Sequence, residues 1–565
     1  MARQWVKRCW ISLAGLMFFA AVVMSLVRLL APMAHRYKAE LESHLSLLVG
    51  EPVTIKRMHA SWYWFEPVLK LDRVVVSHDG NKVLSFKELL VGINLFSSLW
   101  HWQIQPGVLF IDKVHLNLHQ ENQHWRVDGI PQGNYATNLT PQSYVPLLAW
   151  LLSQQKIVIK NVTATLHLQD GTLVPIEQVA LMAVNKQGHY RLKAHATLGQ
   201  DEKTDFSLLG DLEIPSDPFR GAMGPVFFSA KNVNLGQIRS FLPKKNYEIL
   251  KGRGDLQVWL DLNRGRVKQL QSQVHVQDLV WHRETSDKKY KVHAFDANLA
   301  FSPLKKGWQL TADHIVLETP QGVWPENQAL LSFDSSSQTY QVFIKTLSLA
   351  SFDTLGIEWP EAFESLLKMK PKGTLDSSQI GIKEGEVSSF LSKFSSVSFD
   401  GKEDIPRVKN LSGAFYWEPT QGRLELEGEN TTFVFKGQAP LRFKEINVAL
   451  DWKTLSEGLR LNLDRLVINH PNLLLSARGL LDGVTKDTWG TLQLSGEFST
   501  LQGEYWLPFL PLHDHVKPKL EAWLTKDIHR VQEATGKFRV NGPWADFPFD
   551  EKPGDFLILT SLHGV

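Results

Sequence analysis

From about Glu51 to its end the chain alternates, apolar against polar, with a period of two. Val114, Leu116 and Leu118 alternate with His115, Asn117 and His119. Leu256, Val258, Leu260 and Leu262 alternate with Gln257, Trp259, Asp261 and Asn263. Val274 and Val276 sit between Gln273, His275 and Gln277, and Leu459, Leu461 and Leu463 between Arg460, Asn462 and Asp464. Leu492 and Leu494 in GTLQLSG, and Phe538 and Val540 in GKFRVNG, repeat the pattern. Successive side chains of a strand point to opposite faces, so each run reads as a strand with one apolar and one wet face. Gly, Asp and Asn punctuate the runs as turns. The doubly apolar runs of a parallel α/β sheet are scarce, which argues against that class.

Such a sheet must hide its apolar face. A closed sandwich or barrel usually ends by roughly 250 residues, and this chain has 565. An extended antiparallel sheet, curled along its length with the apolar face inside, has no such limit. At roughly 16 residues per strand and turn the body would hold about 32 strands, stacked over roughly 150 Å. A few short amphipathic helices interrupt the pattern. HRYKAELESHLSLLVG places Leu41, Leu45 and Leu48 on one helical face, with Gly50 as C-cap. A second helix is expected within 144–155. Three further interruptions, around Pro243, Pro360 and Pro511, share the order apolar-Pro, basic amphipathic segment, glycine, strand. Their spacing is too loose for a strict solenoid period and suggests concatenated β units.

The N-terminus fixes the compartment. No charge occurs from Cys9 to Val27, a run of 19 residues, which as a helix covers roughly 28 Å, close to the thickness of a bilayer's hydrocarbon. Arg3, Lys7 and Arg8 precede it with no acid among them, so the amino end should stay cytoplasmic and the body should cross. Two other readings compete. A cleaved signal peptide has a shorter apolar core, and the exit LLAPMAHRYK puts a proline where a small-x-small site would be cut. A buried core helix of a cytosolic protein is the other reading, and against it this stretch, apolar on every face, sits at a basic N-terminus. The expected layout is a cytoplasmic 1–8, an anchor at 9–30, a first β unit at 31–140 and concatenated β repeats over 141–565.

Composition agrees with an extracytoplasmic body. The single cysteine, Cys9, lies inside the anchor, so no disulfide holds the body together. Lys and Arg number 61 against 59 Asp and Glu, a balance that argues against a nucleic-acid surface. No GxSxG, Walker loop, HExxH or CxxC is present. His513 and His515 flank Asp514 in a proline-rich loop before a helix, where solvation is a simpler reading than a metal. His115, His119, His167 and His275 fall on the polar side of alternating strands. GRGD at 252–255 reads as a turn before a strand. No catalytic set, cofactor or metal site is expected. Of the 19 tryptophans, those in SWYWF and LWHW close to the anchor read either as core packing or as an interfacial aromatic belt.

The stretch VGEPVTIKRMHASWYWFEPVLKLDRVVVSHDGNKVLSFKELLVGINLFSSLW at 49–100 resembles the AsmA-like superfamily of Gram-negative envelope proteins, and within it the YhdP-type members. Gly50, Pro52, Val53, Trp62, Pro67, Leu71, Asp72 and Val74 match the family's glycine-Pro-Val turn, its aromatic-x-x-x-Pro and its strand ending in Asp-x-Val. A second stretch, WLTKDIHRVQEATGKFRVNGPWADFPFDEKPGDFLI at 523–558, resembles the YhdP pattern of a helix, a strand, then Phe-Pro and a glycine-led strand. Members of that type are longer, and this chain stops at LILTSLHGV within a strand pattern, so it is expected to be an N-terminal half.

The resemblance implies an inner-membrane-anchored β groove that shelters phospholipid acyl chains and moves them passively between inner and outer membranes. The expected partners are phospholipid, the inner membrane and, further out, the outer membrane or other envelope proteins. The groove candidates are Leu116, Leu118, Leu256, Val258, Leu260, Val274, Val276, Leu459, Leu461, Leu463, Phe538 and Val540. The alternative is a scaffold for outer-membrane protein assembly, as proposed for the related TamB proteins. The pattern alone leaves open whether these side chains line a groove or fill a sandwich core. It also leaves open which strand parity faces inward where Trp259 opposes its leucines.

Overall fold

In a computed structural model of the chain, the described residues are 38–49, 51–63, 66–78, 81–94, 106–121, 124–127, 153–169, 171–199, 203–214, 221–237, 247–283, 286–354, 367–402, 405–436, 439–502, 530–547 and 552–564, with scattered residues within 5–25, 98–102, 505–506 and 549. The chain divides into two units, Met1–Asp287 and Lys288–Val565. The expected helix forms as α1, Lys38–Val49. The segments around Pro243, Pro360 and Pro511, most of 144–155, and His513 and His515 lie outside the described residues.

In unit 1 the strands are β1 Val53–Tyr63, β2 Glu66–His78, β3 Asn81–Ile93, β4 Pro106–Glu121, β5 His124–Val127 and β6 Lys156–His167. They continue as β7 Leu173–Lys186, β8 His189–Leu198, β9 Thr204–Glu213, β10 Gly224–Asn234, β11 Tyr247–Asn263 and β12 Arg266–Arg283. Sequential neighbours pair antiparallel, as the alternation predicts, with one exception. β4 pairs with β6 in parallel, Val108 opposite Lys156 and His119 opposite His167, while β5 folds back on the far end of β4.

Unit 2 holds β13 Ser286–Leu304 (its first two residues belong to unit 1), β14 Gly307–Thr319, β15 Gly322–Val323, β16 Asn327–Asp334, β17 Thr339–Ser348, β18 Lys372–Lys383 and β19 Glu386–Phe399. After these come β20 Arg407–Glu418, β21 Gln421–Val434, β22 Leu441–Leu455, β23 Gly458–His470, β24 Leu473–Val484, β25 Thr491–Leu501, β26 Glu533–Pro543 and β27 Asp555–His563. From β13 to β27 each described strand pair is antiparallel, with β15 hung on the end of β14. The fold is thus mainly β, built on open antiparallel sheet. The described residues hold 27 strands, the longest of them β13 with 19 residues.

Within strands the alternation slips, and the slips have a common form. Two apolar residues stand three apart with two polar residues between, and the second polar residue has positive φ. Leu71-Asp-Arg73-Val74, Ile111-Asp-Lys113-Val114, Ile159-Lys-Asn161-Val162, Ile176-Glu-Gln178-Val179 and Ala230-Lys-Asn232-Val233 show it in unit 1; Ala312-Asp-His314-Ile315, Phe394-Ser-Ser396-Val397 and Val408-Lys-Asn410-Leu411 show it in unit 2. At most of these the register shifts, as a β-bulge requires. The slip reverses parity, so apolar residues on both sides of it turn to one side of the sheet. Ile55, Val74, Val76 and Val162 on one side of the slip accordingly share a core with Met58 and Leu71 on the other.

Left-handed backbone costs on the order of 1 kcal/mol for a residue with a side chain, and hydrogen bonds hold several of these positions. Asn161 donates to Asp112 at 2.6 Å, and the Asn232 amide N–H donates to Asp255 at 2.7 Å. Asn410 donates through Nδ2 to the Glu429 carbonyl at 2.7 Å. GRGD, expected as a turn, instead lies inside β11, and its Asp255 is the acceptor that steadies the bulge at Asn232. Nothing in the sequence around it marks a turn as opposed to a bulge, since glycine serves both.

α1 closes the start of unit 1. β1 pairs only with β2 among the described strands, and its outer edge is capped by the helix: Ile55 N–H donates to Glu42 at 2.6 Å and Val53 N–H to Ser46 at 2.9 Å. Leu41 and Leu45 pack on the same core. The helix thus covers the first part of the β1 edge, where free backbone groups would otherwise invite pairing.

At the N-terminus, residues 5–7, 10–15, 17–18, 21–22 and 25 are helical. Lys7 is among them; Arg3 and Arg8 lie outside the described residues. Among the described residues no helix is long and apolar enough to cross a membrane.

Candidate functional site

Cross-strand pairing carries the apolar alternation from strand to strand without loss of phase. In unit 1 one register row runs Met58, Leu71, Leu89, Ile111, Ile159, Leu181, Ala194, Leu208, Phe228, Val258, Ser272, each residue opposite the next. The adjacent row on that face runs Ala60, Leu69, Val91, Leu109, Ile157, Ala183, Leu192, Gly210, Val226, Leu260, Leu270. The polar end of the first row, Ser272, is buried.

Unit 2 repeats the arrangement. Its row runs Phe301, Leu310, Leu331, Val342, Ile380, Phe390, Trp417, Gly422, Trp452, Leu461, Leu481, Leu492, Gly542. A neighbouring row links Leu424, Leu450, Leu463, Gly479, Leu494, Val540 and Phe556.

These rows place the sequence-derived candidates. Leu256, Val258, Leu260, Val274 and Val276 share the unit 1 face, and Leu459, Leu461, Leu463, Phe538 and Val540 share the unit 2 face. Leu256, Val258 and Leu260 of β11 and Val274 and Val276 of β12 are half-buried. Leu116 and Leu118 differ: they lie past the Lys113 slip and pack into cores, Leu116 with Val114 and Val162, Leu118 with Leu166 and Val174. The parity left open at Trp259 is resolved. Trp259 pairs with Phe227 and Gln271, opposite in sense to Val258 and Leu260, so it stands on the other face.

What the sequence reading missed is aromatic. Phe301, Trp308, Phe333 and Tyr340 form a connected cluster on the unit 2 face, with ring centroids 4.6–6.3 Å apart. Further along, Phe415 meets Trp452 at 5.8 Å, and Trp452 lies flat over Gly422, where a Cβ would sit 2.0 Å from the ring. A glycine opposite an aromatic across the strand pair is the signal that marks this packing.

The opposite face is wet and charged. Cross-strand ion pairs stud it: Lys70 with Glu88 at 2.8 Å, Lys268 with Asp261 at 2.9 Å, Arg423 with Asp451 at 3.0 Å and Arg460 with Asp482 at 2.7 Å. The hydrogen bond from Arg460 holds the Asp482 carboxyl below the usual carboxylate range. Asp451 moves the other way, raised by burial and by the neighbouring Asp464. His115 lies 2.9 Å from the Thr163 hydroxyl, and His119 stacks on His167 at 4.2 Å. Among the described residues no three His, Cys, Asp or Glu come together as metal ligands. Each unit is thus two-faced: one side presents alkyl and aryl groups, the other ion pairs.

The chain's sequence is matched by a family model described as YhdP protein, over residues 1–565. The chain belongs to the YhdP family. No curated protein and no solved structure matches it.

Proposed function

We propose that this chain is an envelope protein, held in the inner membrane by residues 9–30 with Arg3, Lys7 and Arg8 on the cytoplasmic side, whose periplasmic sheet shelters phospholipid acyl chains. The observation that carries the reading is the set of continuous, mainly apolar register rows in each unit, of which Val258 and Leu260 on β11 and Leu270 on β12 stay half-exposed. A soluble monomer rarely leaves so large an apolar patch to water. Acyl chains of a lipid whose headgroup remains solvated would cover it. The reading involves no chemical step: chains slide along alkyl side chains, and direction comes from elsewhere. Trp100 and Trp102, 84% and 90% exposed and close in sequence to the anchor, suit an aromatic belt at the membrane surface.

Photocrosslinkers placed at Val258 and Leu461 test this, with Gln257 and Asn462 as controls on the charged face. Phospholipid captured at the first pair and not the second is expected. Equal capture at all four would reject the facing. No capture anywhere would reject the conduit and leave the scaffold reading, in which the face meets protein instead of lipid. For the topology, a reporter active only in the cytoplasm, fused after Gly50, should be silent.

A further inference from the structure

On the charged face of unit 1 one place breaks the pattern. Trp259 is 40% exposed and Leu209 44% exposed, and both flank Phe227 in register. The Phe227 and Trp259 rings lie 5.3 Å apart, inclined by 42°. Beside them is a shallow depression of about 530 Å³, whose lining includes Gln269, Gln271, Asp211, Asp261 and Arg191. Exposed aromatic surface among amide and carboxylate side chains is not what a wet sheet face needs, because each ring costs apolar exposure.

Three ligand chemistries can be weighed. An acyl chain needs a longer apolar track, and here the stripe is cut by Lys193 opposite Leu209 and by Gln271 opposite Trp259. An anion needs an uncommitted cation in the lining, whereas Arg191, the cation that lines the depression, lies 3.7 Å from Asp211, and the carboxylates of Asp211 and Asp261 would repel the anion. A sugar ring satisfies both halves of the site. Its C–H face covers an aromatic ring, and its hydroxyls exchange hydrogen bonds with amides and carboxylates, which supply donors and acceptors together. The 5.3 Å ring spacing is close to the advance of one residue in an extended β-1,4-linked glycan. A flat sheet face also suits an extended chain better than the coiled α-1,4 form.

We infer that this patch binds a neutral, extended β-1,4-linked pyranose chain, and that in the periplasm it rests against the glycan strands of the cell wall. Trp259 is the stacking platform, Phe227 the neighbouring ring, and Gln271, Gln269 and Asp261 the hydroxyl partners. The site lies on the face opposite the lipid candidates, and its sugar binding stands or falls apart from them, while its contact with the cell wall rests on the periplasmic placement proposed above.

Calorimetric titration of the full-length protein in detergent with chitohexaose, and separately with maltohexaose, tests the inference. Saturable binding of chitohexaose is expected, weakened about tenfold or more by Trp259→Ala and less by Gln271→Ala, with maltohexaose binding weakly or not at all. Thermal unfolding of both variants checks that they fold; Gln271 is exposed, so its variant tests the site even if loss of the indole perturbs β11. Lipid crosslinking at Val258 should persist in Trp259→Ala, which separates failure of this site from failure of the lipid reading. Absence of chitohexaose binding, binding indifferent to both substitutions, equal binding of the two sugars, or occupation of the patch by a protein partner in place of sugar would each overturn the inference.

Discussion

The first strands of unit 1 and the strands toward its end carry the same apolar face under different cover. At β1 and β2, Ile55 and Leu71 are 1% and 0% exposed, enclosed by α1 and by residues from beyond the parity slip. At β11, Val258 sits on the register row that begins at Met58 and Leu71, Leu260 on the adjacent row through Leu69, and both remain half-exposed. The alternation is equally clean in both regions. What differs is a second layer: a helix whose Glu42 and Ser46 cap the β1 edge and whose Leu41 and Leu45 supply apolar cover. Alternation fixes which face is apolar. A covering element decides whether that face becomes a core or a surface.

The largest test of that contrast places a carboxylate at each region. Leu71→Asp buries an unpaired charge and should cost more than about 4 kcal/mol, enough to unfold the start of unit 1. Leu260→Asp can reach water and should cost only about 1 kcal/mol while blocking lipid capture at Val258. Urea unfolding of the full-length protein in detergent measures both. Comparable losses at the two sites would mean that the β11 region is a closed core as well.

The two units differ in how a glycine on the face is used, and this allows a second comparison. In unit 2 a Cβ on Gly422 would stand 2.0 Å from the Trp452 ring, while in unit 1 a Cβ on Gly210 would meet the Leu192 side chain at an ordinary 3.4 Å. Gly422→Ala should therefore displace the indole and cost about 2 kcal/mol. Gly210→Ala should be near neutral, or stabilising by about 0.5 kcal/mol, since it removes freedom from the unfolded chain. Thermal midpoints of the two variants give the answer. A tolerated Gly422→Ala would mean that Trp452 does not depend on the gap beneath it.

Much of this was legible in the sequence. Leu256 to Leu262 and Leu459 to Leu463 declare strand and facing together, and HRYKAELESHLSLLVG declares α1. The parity slips were also written there, as the pair Asp72-Arg73 between Leu71 and Val74 and its echoes at Ile111, Ile159 and Ala230. They are easily read as strand ends, because a bulge and a turn draw on the same polar residues. Leu116 and Leu118 look like Leu256 and Val258 in sequence and yet pack against buried cores, because apolar side chains such as Val162 and Leu166 lie beside them. The parallel pairing of β4 with β6 was hidden as well, because it depends on where the chain returns after β5 and not on any local residue. The Phe301–Tyr340 cluster was invisible for a related reason: its members come from strands whose pairing partners alternation does not name.

A smaller effect tests the cover itself. Leu45→Ala removes part of the apolar side of α1 from the Leu71 core and should cost about 1–2 kcal/mol, below the range for fully buried leucine because the side chain is only half-buried. Hydrogen exchange should accelerate in β1–β3 and stay unchanged in β11 and β12. Acceleration extending to β12 would mean that the covered and uncovered regions open as one.

The smallest effect concerns a covered place in unit 2. Leu441, Phe443 and Ile446 form a core there with Tyr505 and Trp506 packed against it. His470 lies against three of these rings, 5.6 Å from Phe443, 6.2 Å from Tyr505 and edge-on to Trp506 at 4.9 Å. Its Nδ1 accepts the Asn472 amide N–H at 3.1 Å, which requires that nitrogen to be unprotonated. Burial holds its pKa below the ordinary histidine value of 6.5. At pH values between the lowered pKa and 6.5, the unfolded chain binds a proton that the folded chain does not. Stability from this group is therefore complete above 6.5 and declines as the pH falls from there to the folded pKa, below which it declines no further. Unit 2 should lose thermal stability between pH 7.5 and pH 5.5, and His470→Phe should flatten that part of the slope while keeping the aromatic packing. At the α1-covered core of unit 1 the buried residues are apolar, so exchange in β1–β3 should not respond to this substitution at either pH. A variant with an undiminished slope would place the proton-sensitive group elsewhere and leave the two covered regions alike in their response to acid.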